Sequence, residues 1–315
     1  MIDVENLSKD FGDFRAVDSI NFHVKEGEVL AMLGPNGAGK TTTVRMMTSI
    51  ISPTAGRASV AGYDVVKNAE DVRRHVGVLT EQHGLYERMY GEEYLDFFGR
   101  IYHLDAKTRK ERIHRLMHQF GLGNALQRRV GEYSKGMKQK LALVRAMLHE
   151  PPVLLLDEPT SAMDPQSAKQ VRDAILTMQN DKRTFLITTH NLAEAQRLAD
   201  RVAIIRGGRI IALGTIDELA QQFTGVPFFE LEMTEVPQEK ALEIMRNYGE
   251  IIEVRDTYIQ LQIEDPGENN PRLLYQLLEN DIKVVGLSRI SESLESIYLR
   301  VVEDDANKRG DHELI

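Results

Sequence analysis

The sequence contains no cysteine and no long run of apolar residues. Without cysteine the chain can build no disulfide framework and no thiolate chemistry, which fits a reducing compartment. Its apolar runs are short, such as Val153–Leu156, and none reaches the roughly 18 residues typical of a membrane-spanning helix. The acidic and polar start, residues 1–11, is not typical of a signal peptide. We therefore expect a soluble or membrane-peripheral protein.

Basic side chains are outnumbered by acidic ones, above all in the last part of the chain. The net charge is −9, and residues 225–315 hold 20 acidic and 9 basic side chains, a net of −11. Residues 1–224 carry the remaining net charge of +2. An acidic C-terminal region repels nucleic acid, and neither part has the basic excess of a nucleic-acid-binding surface. No nucleic-acid partner is therefore expected.

Strand-like and helix-like segments alternate over the first 224 residues. Short apolar runs indicate buried strands, and apolar residues at helical spacing indicate the helices between them. The strand segments are 27–33, 75–80, 153–159 and 184–190, and the helical ones are 39–50, 167–179 and 192–199. This order predicts an α/β fold, interrupted by a mainly helical insertion at about 84–149.

The pattern changes near residues 223–228, so we place a domain boundary between 224 and 225. Residues 225–315 read as strand, helix, strand, strand, helix, strand, which predicts a small α+β domain of βαββαβ order. Four apolar residues then share one face of a last helix, namely Leu294, Ile297, Tyr298 and Val301. This stripe either packs within its own domain or contacts a second copy.

The segment GPNGAGKTTT, residues 34–43, fits the pattern G-x-x-x-x-G-K-[ST] between a strand and a helix. Glycines let backbone N–H groups wrap phosphates, the lysine reaches the β and γ phosphates, and the threonine hydroxyl binds Mg²⁺. The strand–loop–helix context disfavours the alternative, a glycine-rich turn with a surface lysine. The predicted nucleotide-binding residues are Gly34, Pro35, Asn36, Gly37, Ala38, Gly39, Lys40, Thr41 and Thr42.

Three polar residues follow the ends of two predicted strands. Asp157 ends an apolar strand, at the edge where α/β sheets bind ligands, and is suited to Mg²⁺ together with Thr41. Glu158 can polarise an attacking water. His190 ends the next apolar strand and is expected near the γ phosphate. The alternatives are carboxylates that cap a strand and a structural histidine, and the nearby phosphate loop makes both less favoured.

A second anion-binding feature lies nearly a hundred residues after the phosphate loop. In YSKGMKQK, residues 133–140, Ser134 is suited to cap a helix, and Lys135 and Gly136 lie in the turn that opens it. A helix N-terminus of this kind is suited to an anion. The phosphate loop alone does not show which phosphate this second turn would bind.

The order of these motifs resembles that of ATP-binding cassette (ABC) ATPases over residues 1 to about 224. The resemblance rests on the phosphate loop, on residues 133–140, on LLLDEPTSAMDP at 154–165 and on TTH at 188–190. It implies a P-loop NTPase cassette with a RecA-like core and a helical subdomain. It also implies that two cassettes dimerise head to tail, so that the Ser134–Gly136 turn grips the γ phosphate of ATP held by the other copy.

Further residues carry over from this resemblance one by one. Phe11 matches the aromatic residue that stacks on adenine, with a core phenylalanine as the alternative. Residues 161–165, with Asp164, match the loop that meets the opposite subunit, and His190 matches the switch histidine at the γ phosphate. Two departures stand out. In the signature turn, Ser134–Gly136, Lys135 replaces the usual first glycine. In the loop that usually carries a glutamine, either Glu81 or Gln82 takes its position. We favour Gln82, as a catalytic and Mg²⁺-binding residue.

The resemblance implies an ATPase subunit of an ABC transporter, of the exporter-type prokaryotic branch with a C-terminal accessory domain. We expect ATP and Mg²⁺ as cofactors, a second copy or a paralogue as partner, and a separate permease that contacts the insertion at the cytoplasmic membrane face. One alternative is a soluble ABC ATPase that acts on ribosomes or DNA, but the paired cassettes or long coiled coil of that class are missing. Another is a non-hydrolysing binding module, which intact Lys40, Asp157 and Glu158 disfavour.

Overall fold

The computed structural model describes residues 1–80, 84–161, 163–290 and 293–310. An antiparallel sheet near the N-terminus has the strand order β2-β1-β4-β5. Its strands are β1 (Ile2–Phe11), β2 (Phe14–Val24), β4 (Ala55–Val60) and β5 (Tyr63–Asp64). None of these strands was predicted from the sequence. Alternation was the available signal, because Phe22 and Val24 are buried whereas His23 between them is exposed.

A second sheet of six strands carries the predicted α/β pattern. Its strands are β3 (Val29–Leu33), β6 (Val76–Leu79), β7 (Val153–Asp157), β8 (Thr184–Thr189), β9 (Arg201–Arg206) and β10 (Arg209–Gly214). They lie in the order β10-β9-β3-β8-β7-β6, and β9, β3, β8, β7 and β6 run parallel. Every residue of β3, β7 and β8 is buried, as expected for strands covered on both faces. The α/β prediction is confirmed.

Helices connect these strands and form the predicted insertion. The connecting helices are α1 (Lys40–Met47), α2 (Ala69–His75), α6 (Pro165–Asn180) and α7 (Leu192–Leu198). The insertion contains α3 (Gly91–Ile101), α4 (Ala106–Gln119) and α5 (Lys135–Met147). Within the described ranges, no helix combines the length and the apolar character needed to cross a bilayer.

The C-terminal part has the predicted βαββαβ order, flanked by a helix on each side. Its elements are α8 (Ile216–Thr224), β11 (Phe228–Met233), α9 (Glu239–Arg246), β12 (Glu250–Arg255), β13 (Tyr258–Gln262), α10 (Pro266–Glu279), β14 (Val284–Arg289) and α11 (Leu294–Arg309). The antiparallel sheet has the order β12-β13-β11-β14. Leu231, Ile259, Leu261, Leu273 and Leu277 are fully buried in its core.

The chain divides into two compact units, Met1–Leu213 and Gly214–Ile315. The division lies one helix before the boundary expected between 224 and 225, because α8 packs against α11. Leu294, Ile297 and Val301 of α11 are at most 1% exposed, so these three residues pack within the chain and offer no free surface to a second copy.

Candidate nucleotide-binding site

The phosphate-binding loop connects β3 to α1 and is held closely by its neighbours. A Cβ at Gly34 would lie 2.2 Å from the carbonyl oxygen of Ile205, so no larger residue fits there. Gly39 has a φ of +107°, and its Cβ would lie 2.6 Å from the carbonyl oxygen of Ala16. The Gly34 amide also donates to the Thr189 carbonyl oxygen at 3.3 Å. The loop therefore needs glycine at these two positions, and β8 fixes where it begins.

Lys40 lies inside this loop, at the first residue of α1. Its side chain is 6% exposed, and Nζ donates to the carbonyl oxygens of Gly34 at 2.7 Å and Pro35 at 3.1 Å. The same Nζ is 4.0 Å from Oε1 of Glu158. The ammonium group is thus directed into the loop and towards the strand-end carboxylate, where it can reach the terminal phosphates of a nucleotide.

The oxygen atoms expected to bind Mg²⁺ lie together beneath the loop. The hydroxyl of Thr41 donates to Oδ2 of Asp157 at 2.9 Å. The other oxygen of Asp157 accepts a hydrogen bond from the hydroxyl of Thr188, and Asp157 is 2% exposed. A hydroxyl and a fixed carboxylate are hard oxygen ligands of the kind that Mg²⁺ takes beside substrate phosphates. The residues present fit the ion.

Glu158 and His190 form a pair at the ends of β7 and β8. Nδ1 of His190 lies 2.8 Å from Oε1 of Glu158, and the Glu158 amide donates to the Thr188 carbonyl oxygen at 3.0 Å. Glu158 has a φ of +51°, in the left-handed region that residues with a Cβ seldom adopt. This backbone conformation turns the carboxylate out of the strand line and towards the phosphate loop.

One cavity of about 620 Å³ joins these groups. Its walls include Asn36, Gly37, Gly39, Lys40, Thr41, Thr42, Asp157, Glu158, Ser161 and His190, together with Phe14 and Ala16. The structure therefore brings most of the predicted phosphate-loop residues, Asp157, Glu158 and His190 into one site. Of the two phenylalanines that flank the turn between β1 and β2, Phe14 lines the cavity, and the predicted Phe11 is not among its described walls.

Phe11 and Phe14 face each other across the turn between β1 and β2. Phe14 is 64% exposed, and Phe11 is 48% exposed with its ring 5.2 Å from Nζ of Lys9. Two residues, Gly12 and Asp13, separate them, so sequence spacing alone does not show which ring faces the nucleotide. The assignment of Phe11 to adenine stays a prediction. Phe14 is a second candidate for this contact, because it lines the cavity.

The turn at Ser134–Gly136 opens α5 as predicted. The Ser134 hydroxyl oxygen caps the helix by accepting from the Met137 amide at 3.2 Å. Ser134 and Lys135 are exposed, and none of the three turn residues is among the described residues that line the cavity. Apart from its chain neighbours and the nearby backbone of its own helix, a Cβ at Gly136 would meet no described atom within 4 Å. The packing of this chain therefore does not require glycine at 136.

Comparison with known proteins gives the family. A family profile described as "ABC transporter" matches residues 17–161. The daunorubicin resistance ATP-binding protein DrrA3 of Streptomyces coeruleorubidus is 34% identical over 305 residues, which cover 96% of either chain. This chain belongs to the ABC transporter family. It is an ATP-binding, ATP-hydrolysing subunit of that family.

Two further comparisons agree with this assignment. The bacitracin transport ATP-binding protein BcrA of Bacillus licheniformis is 32% identical over 305 residues, 96% of this chain and 97% of its own length. A solved structure titled "Structure of ATP binding subunit of ABC transporter" matches with a TM-score of 0.67 and 32% identity. It covers 71% of this chain and 93% of that one.

Gln139 is a contact in this ABC cassette that the sequence did not indicate. It lies on α5, is 6% exposed, and its Nε2 donates to the carbonyl oxygens of Glu158 at 3.1 Å and Pro159 at 3.2 Å. The helix that begins at the signature turn is thus bonded to the backbone of the strand-end carboxylate. The only signal in the sequence was a polar residue beside the apolar positions of α5.

Two other loops of the cassette complete the predicted set. Glu81 and Gln82 lie outside the described residues, so the roles given to Gln82 stay predictions. Asp164 is exposed and caps α6, where its Oδ1 accepts from the Ser167 amide at 3.0 Å. Hydrogen bonds from Ser167 lower the pKa of Asp164, so it stays charged at the surface expected to meet the other subunit.

Replacing Phe14 by Ala should weaken ATP binding more than replacing Phe11 by Ala. Stacking of a base on an aromatic ring contributes about 1 kcal/mol or more, so we expect the Kd for ATP to rise roughly five-fold or further. Isothermal titration measures this. Phe14→Tyr, which keeps the ring, and binding of inorganic tripolyphosphate, which has no base, are the controls and should change little. A larger loss in Phe11→Ala would return the adenine contact to Phe11.

Proposed function

We propose that this chain powers an ABC exporter as its ATPase subunit. Two copies, or one copy and a paralogue, bind Mg-ATP and close head to tail, and the closure drives a separate permease at the cytoplasmic membrane face. The cassette, residues 1–213, performs the chemistry, and residues 214–315 form an accessory unit. One observation carries the proposal. Lys40, Asp157, Glu158 and His190 surround a single cavity, whereas the signature turn is exposed and absent from its described walls.

Each side chain of the cavity has a defined task in this proposal. Thr41 and Asp157 would hold Mg²⁺, which when bound neutralises charge on the β and γ phosphates. Lys40 binds the same phosphates. Glu158 accepts hydrogen bonds from the attacking water and polarises it. Nδ1 of His190 lies 2.8 Å from Oε1 of Glu158, and when both ring nitrogens carry a proton, Nδ1 donates to Glu158 and Nε2 can donate to a γ-phosphate oxygen.

The names of the relatives and the charge distribution support an exporter of antibiotic-type compounds. The two named relatives are described by daunorubicin resistance and by bacitracin transport, and both match nearly the whole of this chain. The net charge of −11 over residues 225–315 disfavours the alternative of a soluble ATPase acting on ribosomes or DNA.

An aromatic cluster on the insertion supports contact with a permease. Tyr86, Phe97 and Phe98 contact one another, and Tyr86 and Phe97 are 50% and 40% exposed. A cluster of partly exposed aromatic rings is typical of a protein–protein contact. Backbone bonds from the Gly131 amide to the Glu87 carbonyl (2.8 Å) and from the Val130 amide to the Met89 carbonyl (2.9 Å) join this segment to the one before Ser134. A displacement of the aromatic cluster by the permease can therefore be transmitted to the signature turn.

Co-purification with a permease tests the proposal. The tagged chain, co-expressed with the multi-span protein expected from the neighbouring reading frame, should be recovered with it in detergent. The double variant Tyr86→Ala/Phe97→Ala should lose most of that recovery but keep the ATPase rate of the isolated chain within about two-fold, since these rings lie outside the cavity. Tyr275→Ala, an exposed tyrosine of α10, is the control and should behave as wild type.

Two results would contradict the proposal. Recovery of the permease by the double variant at wild-type level would remove the aromatic cluster from the interface. Recovery of the wild-type chain with ribosomes or nucleoid, and none with the membrane protein, would favour the soluble class.

A further inference from the structure

A buried carboxylate that the mechanism above does not use lies one helical turn beyond His190. Glu194 of α7 is 3% exposed. Its Oε1 accepts a hydrogen bond from the Thr160 hydroxyl at 2.6 Å, and its Oε2 accepts one from the Thr189 hydroxyl at 2.8 Å. Burial raises the pKa of Glu194, while the two hydroxyl bonds act in the opposite direction. The two hydrogen bonds therefore offset part of the cost of burying this carboxylate.

The two threonines belong to different parts of the site. Thr160 follows Glu158 by two residues and lies in the segment that leads to Asp164, on the side expected to meet the second subunit. Thr189 ends β8 and immediately precedes His190. The Glu194 side chain therefore bonds both to Thr160, two residues after Glu158, and to Thr189, the residue before His190.

The local backbone fixes where this carboxylate points. The Glu194 amide donates to Oδ1 of Asn191 at 3.1 Å, and the Asn191 amide donates to the hydroxyl oxygen of Thr189 at 3.0 Å. The Thr189 hydroxyl thus accepts from Asn191 and donates to Glu194. This direction leaves the carboxylate as the acceptor at both of its oxygens, which an amide side chain cannot reproduce.

We propose that Glu194 is a positioning residue that holds Thr160, and the strand end that carries His190, in a fixed register. Closure of the second subunit beside Thr160 then also aligns His190 with Glu158. The inference rests on the proposed head-to-tail function. Glu194 is not part of the cavity wall, so its removal should affect turnover and leave nucleotide binding intact.

A double-mutant cycle in the full chain tests the proposal. Glu194→Gln and Thr160→Val should each lower kcat about ten-fold, with KM and the Kd for ATP within about two-fold of wild type. Both changes disturb the same hydrogen-bond network, because Gln keeps only one acceptor oxygen and Val removes the Thr160 hydroxyl, so the double variant should be little slower than Glu194→Gln alone. Thr160→Ser keeps the hydroxyl and should restore kcat to near the wild-type value. Thermal unfolding of every variant shows that the chains compared are folded.

Several outcomes would overturn the proposal. Effects that multiply in the double variant would show that the two residues act separately. A Kd that rises along with KM, or a Thr160→Ser chain as slow as Thr160→Val, would make Glu194 a core carboxylate that supports the fold only. Should Glu194→Gln not fold, the partly exposed Thr160 still gives the test through its Val and Ser variants. A wild-type hydrolysis rate per chain that stays constant as the chain concentration rises would instead contradict the head-to-tail dimer. This rate is measured separately from the cycle.

Discussion

Replacing Glu158 by Gln should lower ATP hydrolysis about a thousand-fold, within the range that a positioned base contributes, while the Kd for ATP stays nearly unchanged. The amide has the same shape and keeps an oxygen that can face Nδ1 of His190, 2.8 Å away in the wild type. It cannot take a proton from water. Lys40, Thr41 and Asp157 are untouched, so nucleotide binding remains.

The same variant should also accumulate the closed dimer. Two bound nucleotides join the subunits, and without hydrolysis this state persists in Mg-ATP, where size-exclusion chromatography detects it. Phosphate release gives the rate. Glu70→Gln is the matched control, since Glu70 is an exposed carboxylate of α2 paired with Arg74 at 2.7 Å, and it should behave as wild type. Hydrolysis at the wild-type rate by Glu158→Gln would mean that another group polarises the water.

Replacing Ser134 by Arg should abolish hydrolysis by a homodimer while each isolated chain still binds ATP. Ser134 is exposed and outside the described wall of its own cavity, so the large side chain blocks what docks against the turn and leaves the nucleotide cavity of its own chain open. Loss of the helix cap destabilises the fold by about 1 kcal/mol. Ser134→Asp keeps the cap but places a negative charge at the turn, so it should fold like wild type and still fail to hydrolyse ATP.

Mixing variants shows whether the turn acts on its own chain or on its partner. A Lys40→Ala chain lacks a working phosphate loop but has an intact Ser134, whereas a Ser134→Arg chain has the reverse. Their mixed dimer can form one complete site, so the mixture should hydrolyse ATP although neither variant does so alone. A Ser134→Arg chain that fails to bind ATP as a monomer would place the turn in its own pocket and contradict the head-to-tail arrangement.

Sequence was sufficient where a local pattern determines the structure. The phosphate loop, the buried strands β3, β7 and β8, and the cap at Ser134 each depend on neighbouring residues, and the structure places them where the patterns predict. The N-terminal sheet was missed because its alternation is interrupted. The register of β1 against β2 shifts between Val4 and Leu7, between Leu7 and Lys9 and between Lys9 and Asp10, which breaks the period of two.

Other features depend on contacts between residues distant in the chain. The unit boundary moved before α8 because its packing partner α11 lies at the far end of the chain. Gln139 bonds to the backbone of Glu158 and Pro159, and Glu194 bonds to Thr160. Neither bond leaves a pattern in a single sequence. Phe11 and Phe14 are paired across one turn, and their spacing in the sequence does not show that Phe14 is the one that lines the cavity.

The left-handed backbone at Glu158, with its φ of +51°, makes the stability of the fold and the ATPase activity favour different residues at this position. A residue with a Cβ in this region costs roughly 1 kcal/mol or more, which glycine avoids. Selection for thermal stability alone would therefore favour glycine at 158, and the resulting protein would be more stable but would no longer hydrolyse ATP. Stabilised versions of this subunit should be screened for turnover, because a residue in an unfavourable backbone conformation is also one on which the proposed chemistry depends.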